Sequence, residues 1–152
     1  MEISKTQYLN LFRKTFDGIP KSHKIGVSDN AINYFSHRAL IIFRLDMLLF
    51  KYKQDNDPLR LILSGKNALT SYLINKKNIP LNDAKNASLR DALTILWTDI
   101  KSVSIPDSLL DSLMEAYSYN FNKFNPRYYA EQHLDYVDDE WNPELWDKLL
   151  LQ

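Results

Sequence analysis

The chain has 152 residues, 45% of them hydrophobic, no cysteine, and nineteen basic against nineteen acidic side chains. That length and apolar content suit one domain with one core. The absence of cysteine excludes disulfides, thiolate metal sites and cysteine nucleophiles together. The zero net charge hides an asymmetry: residues 1–86 carry fourteen Lys/Arg and seven Asp/Glu, whereas residues 87–152 carry five and twelve. Such a division predicts either a charged partner or docking of the acidic end on the basic half of the same chain.

The first sixteen residues spread Lys5, Arg13 and Lys14 through a segment without a continuous apolar run, unlike an export signal. Helical signals then dominate, and no segment alternates with period two. A first helix is expected over about Ser4–Phe16, ended by Asp17-Gly18-Ile19-Pro20. Ser28 or Asp29 caps a long second helix, about 30–53, apolar on nearly every side from Leu40 to Phe50, which places it at the centre of the domain. The longest apolar stretch, Ala39–Phe50, holds Arg44 and Asp46 and is too short and too charged to cross a bilayer. A soluble, cytoplasmic protein is expected.

Asp57-Pro58 is a helix-start signal, and a third helix is expected from there to about Asn78, with Leu59, Ile62, Leu63, Leu69, Leu73 and Ile74 on its apolar side. Ile79-Pro80 breaks the chain. The fourth helix, about Asp83–Val103, has the most regular stripe: Leu89, Ala92, Leu93, Leu96, Trp97 and Ile100. Pro106-Asp107 opens a fifth, to about Phe124, and Asn125-Pro126 and Asn142-Pro143 open short helices over about 126–137 and 143–151. The expectation is one all-α domain, residues 1–152, with five to seven helices bundled around the second.

The C-terminal segment is the most distinctive. From Tyr128 to Asp147 it holds seven carboxylates, five aromatics and no Lys or Arg. Carboxylates steer a cationic protein and aromatics anchor it. Asp135, Asp138, Asp139, Glu140 and Trp141 are therefore the candidate partner-binding residues, around the expected helix connection. Trp146, Leu149 and Leu150, at i, i+3 and i+4, fit a core stripe instead. Asp135, Asp138 and Asp139 do not follow the order of a calcium loop, and no glycine-rich phosphate loop or hydrolase motif is present. No metal or cofactor is implied. On the second helix, His37, Arg38, Arg44 and Asp46 are expected where that helix reaches solvent.

Arg127 and His133, five residues apart, resemble the Arg-x(4–6)-His motif of the HEPN superfamily, small all-helical domains of which many are ribonucleases. That resemblance implies that the pair surrounds a scissile phosphate attacked by the 2′-hydroxyl. The match covers seven residues, Tyr128 stands where the family has a polar residue, and the surrounding carboxylates set the wrong potential for RNA. In size, helical character and acidic face the chain is similar to immunity proteins of contact-dependent inhibition and related bacterial toxin systems. That resemblance implies an inhibitor, not an enzyme, that neutralises a basic toxin domain such as a nuclease. An assembly subunit whose oppositely charged halves join neighbours is the further alternative.

Overall fold

The computed structural model describes residues 3–23, 29–116 and 134–150. Their regular structure is entirely helical, with no strand among them. In chain order the helices are α1 (Lys5–His23), α2 (Asp29–Asn56), α3 (Asn67–Lys77), α4 (Leu81–Lys85), α5 (Leu89–Ile95), α6 (Trp97–Lys101), α7 (Asp107–Ala116) and α8 (Leu145–Leu150). A single 3₁₀ turn, Asp138–Glu140, precedes α8. The expected all-α class holds.

Ser4 and Gln7 start α1 with a reciprocal cap: the Gln7 amide donates to Ser4 Oγ at 3.2 Å, and the Ser4 amide donates to Gln7 Oε1 at 2.8 Å. The expected stop at Asp17–Pro20 does not occur, since α1 runs on to His23 with Pro20 inside it. A proline within a helix costs about 3 kcal/mol. Phe16, Ile19 and Pro20 are all buried, and burying a large aliphatic or aromatic side chain returns about 1.5–3 kcal/mol each. Packing therefore overrides the local stop signal.

α2 matches its expected extent and continues to Asn56. No side chain from Ile32 to Phe50 is exposed, because α1, α3 and α6 all pack on this helix. Phe12 of α1 meets Phe43 of α2 edge to face at 5.7 Å between ring centroids. Trp146 of α8 completes this aromatic group, 6.1 Å from Tyr8, 5.3 Å from Phe43 and 5.6 Å from Phe50. Its expected core role holds, at 3% exposure.

The third helix begins nine residues later than Asp57-Pro58 implies. The Asp57 carboxylate accepts from the amides of Leu61, Ile62 and Leu63 at 3.1, 2.8 and 2.8 Å. These bonds, with the Leu63 amide foremost, hold that carboxyl below its ordinary range. The result is a loop, not a first helical turn, with Arg60 and Gly65 in the left-handed region at φ 57° and 54°. Leu59 and Ile62, expected in the core, stand 75% and 71% exposed, while Leu63 is buried. α3 then ends as expected, at Asn78, whose left-handed φ of 55° caps the helix.

The long fourth helix is three short ones. Ser88 and Asp91 form a capping box at the start of α5, and Leu96 bends the chain between α5 and α6. The apolar stripe survives the break, since Leu89, Ala92, Leu93, Leu96 and Ile100 are all buried. Trp97 leaves it, 43% exposed, with the Lys101 ammonium 5.8 Å from its ring. Of the helix expected from Pro106, Asp107–Ala116 lies within the described residues. The helix expected over 126–137 lies outside them except for Leu134–Val137, which is not helical.

Candidate interaction site

Residues 134–150 run along α1 and α2, and two buried polar contacts fasten them there. The first centres on Arg38 of α2, 3% exposed. Its Nε and Nη2 donate to the two oxygens of Glu140, the latter at 2.8 Å. Nη1 donates to the Tyr34 hydroxyl at 2.8 Å and to the Leu134 carbonyl at 2.7 Å, and Nη2 also donates to the Asp135 carbonyl at 2.8 Å. The Tyr136 ring covers the guanidinium at 3.9 Å. Burial alone would lower the Arg38 guanidinium, but the Glu140 carboxylate outweighs it and holds the group above its ordinary value.

Glu140 is 3% exposed, and its Oε2 also accepts from the Val137 amide at 2.7 Å. His23, at the end of α1, brings Nε2 to 3.2 Å from Glu140 Oε1 and 3.3 Å from Arg38 Nη2. That nitrogen can donate to the carboxylate or accept from the guanidinium, but not both, because one tautomer serves each.

The second contact joins Trp141 to Asp46 of α2. The indole Nε1–H donates to Asp46 Oδ1 at 2.9 Å, and both side chains are buried, at 8% and 6% exposure. Burial pushes the Asp46 carboxyl up to about 7, against the lowering effects of the Trp141 hydrogen bond and the Lys53 charge. Nearby charge of the same sign on Asp147 adds to the rise.

These two contacts divide the five residues expected at a partner surface, since Glu140 and Trp141 are buried. Glu140 and Trp141 are anchored to α2 through Arg38 and Asp46. The contacts also correct the solvent placement expected for α2: Arg38 and Asp46 are buried, and His37 and Arg44 are half-buried. Burial lowers the Arg44 guanidinium below its ordinary value.

The remaining three members of the cluster face solvent. Asp135 lies 4.0 Å from Arg90 Nη1, with both side chains about two-thirds exposed; such a pair contributes little. Asp138 Oδ1 accepts from the Leu89 amide at 2.8 Å, a donor at the start of α5. Asp139, beside it on the same 3₁₀ turn, is exposed and makes no ion pair among the described residues.

Asp147 on α8 forms a third fastening that the sequence reading missed. Its carboxylate accepts from Lys53 Nζ at 3.0 Å, Arg60 Nε at 3.0 Å and the Gly65 amide at 2.7 Å. It thus ties α8 to the end of α2 and to both left-handed residues of the following loop. Lys53 in the last turn of an apolar helix, with Arg60 shortly after it, was the available signal, since a cation carried into the core needs an acid.

Arg127 and His133 lie outside the described residues. Among those described, no group of three or more His, Asp and Glu side chains is placed to hold a metal ion. No described helix is long and apolar enough to cross a membrane. Compared with known protein families, curated proteins and solved structures, the chain matches none.

Proposed function

We propose that this protein is a cytoplasmic binding protein that neutralises a basic partner, in the manner of an immunity protein against a bacterial toxin domain. The observation that supports this reading is the mounting of Asp138 and Asp139. They project from a 3₁₀ turn whose next two residues, Glu140 and Trp141, are buried in ion-pair and hydrogen-bond contact with α2. Exposed carboxylates on a fixed turn lose little freedom when a partner docks, so more of the electrostatic attraction is realised as affinity. With Asp135 they make an acidic edge free of buried members, and this edge is the proposed contact.

The test is capture from the native cell by the full chain, comparing the unaltered protein with Asp135→Lys/Asp139→Lys. Asp138 is left intact because its carboxylate also serves the α5 amide. The unaltered protein should retain a basic protein, and the variant should lose it while keeping its helical circular dichroism and Tm. Raising the salt should slow association steeply, since exposed charges are screened beyond about 8 Å at physiological ionic strength. Capture that ignores both the charge reversal and the salt sinks the proposal.

A further inference from the structure

A cavity of about 310 Å³ lies between α1, the middle of α2 and the turn that carries the acidic edge, with Gly18, Asp46, Asp139, Glu140 and Trp141 in its lining. Its volume falls at the small end of the range for ligand sites, about 300–1,000 Å³.

Two acceptors in this lining are unused. Asp46 is 6% exposed, and its Oδ1 is taken by the Trp141 indole. Its Oδ2 accepts no hydrogen bond among the described residues and, unlike the Trp146 indole nitrogen, is not sealed from solvent. The Glu140 carbonyl also accepts none among them. Gly18 stands opposite that carbonyl with no side chain to cover it, since a Cβ there would lie 3.7 Å from the oxygen. A buried carboxylate oxygen without a donor is costly, and native structures rarely keep one without a use. Asp139, exposed and without an ion pair among the described residues, adds a second negative charge at the entrance.

These groups call for a cation of one kind. Metal ions are unsuited, since no three His, Asp or Glu side chains among the described residues converge to hold one, and the Glu140 carboxylate is engaged with Arg38. A guanidinium pairs best with both oxygens of a carboxylate, and Asp46 has one left. A primary ammonium is a compact charge with three donors, which a single carboxylate oxygen and a carbonyl can serve.

We infer that the cavity receives a lysine side chain, its ammonium donating to Asp46 Oδ2 and the Glu140 carbonyl, with Asp139 at the entrance. The lysine would belong to the basic partner proposed above, so its source rests on that reading, whereas the chemistry of the cavity does not. Lys14, exposed and also in the lining, is the opposing charge.

The experiment is a titration of the ¹⁵N-labelled full chain with Nα-acetyl-lysine methylamide, following the indole N–H resonance of Trp141, whose acceptor is Asp46. The resonance should shift saturably, and the norleucine and arginine analogues should bind at least tenfold more weakly. Asp46→Asn should lose at least tenfold in lysine affinity while keeping its helical circular dichroism. Lys14→Gln, at an exposed side chain, should raise that affinity severalfold without changing Tm. Burial holds the Asp46 carboxyl at about 7, so lysine affinity should rise on the order of tenfold between about pH 5.5 and about pH 8 and stay flat in Asp46→Asn. Lys53 and Asp147, which act on that carboxyl, Lys14 and Asp139 in the cavity, and His23 beside Glu140 are present in both proteins, so the difference isolates Asp46. Absence of a saturable shift, equal binding of the lysine and norleucine amides, or a lysine affinity unchanged in Asp46→Asn would each overturn the inference. Binding of the free diamine cadaverine tenfold more tightly than the lysine amide would overturn the assignment to a partner's side chain. The probe needs no partner, so its failure leaves the acidic edge untouched, and failed capture by that edge leaves the lysine titration untouched.

Discussion

Asp46→Asn isolates the most unusual electrostatic feature of the fold. The wild-type carboxyl is buried and titrates at about 7 in the folded protein, against an ordinary value of 3.8. A folded-state value above the unfolded one means that the folded protein holds a proton that the unfolded chain releases. The associated stability is complete below the unfolded value and is lost as pH rises through the folded value, so the window is about pH 4 to about pH 7. Each unit of difference is worth about 1.4 kcal/mol. Between about pH 4.5 and about pH 8 the wild type should therefore lose on the order of 3 kcal/mol through this one group.

Asparagine preserves the shape and offers an oxygen to the Trp141 indole, but does not titrate. Urea unfolding of both proteins across that range, followed by tryptophan fluorescence, gives the difference directly, with all other titrations cancelling. The asparagine variant should become the more stable of the two as pH rises, by about 3 kcal/mol relative to their difference at the acid end. Two stability profiles that run parallel from acid to alkaline pH would refute the reasoning. They would mean that the buried carboxyl is solvated or compensated well enough to keep an ordinary affinity for protons.

Two further perturbations test the other fastenings. Arg38→Ala leaves Glu140 buried without its cation and should cost about 3–5 kcal/mol in urea unfolding. It should also raise amide exchange at Val137–Trp141 before the rest of the protein, whereas Arg38→Met/Glu140→Met should cost less than Arg38→Ala alone because no lone charge remains. Asp147→Ala strands Lys53, Arg60 and the Gly65 amide together and should lower stability by about 3 kcal/mol or more. In the same loop Leu61→Ser, at a side chain 76% exposed, should change stability by no more than about 0.5 kcal/mol.

Local chemistry was readable where neighbours in sequence decide the outcome. Asn78 ends α3, and the spacing of Trp146 and Leu150 puts both in the core. The same local reading erred at Pro20, where burial of Ile19 outweighs a helix breaker, and at Asp57-Pro58. There the carboxylate does satisfy backbone amides, but those of a loop with Arg60 in the left-handed region. Both cases turn on long-range contacts that fix which of two locally acceptable conformations wins.

The division of the acidic segment was out of reach for a related reason. Nothing in the run Asp138-Asp139-Glu140-Trp141 distinguishes the first two residues from the last two. The partners that do so are Arg38 and Asp46, 102 and 95 residues away. A hint was present at the other end, since Arg38 and Asp46 interrupt a helix apolar on almost every side and buried charges need partners. Composition and periodicity by themselves determined that the chain is helical, where its main apolar faces lie and that its two halves carry opposite charge. Only the tertiary structure decided which acids are buried inside the protein and which face solvent. Burial is a property of the packed whole, and a carboxylate's role follows from whether a distant cation or an indole N–H is brought within hydrogen-bonding reach.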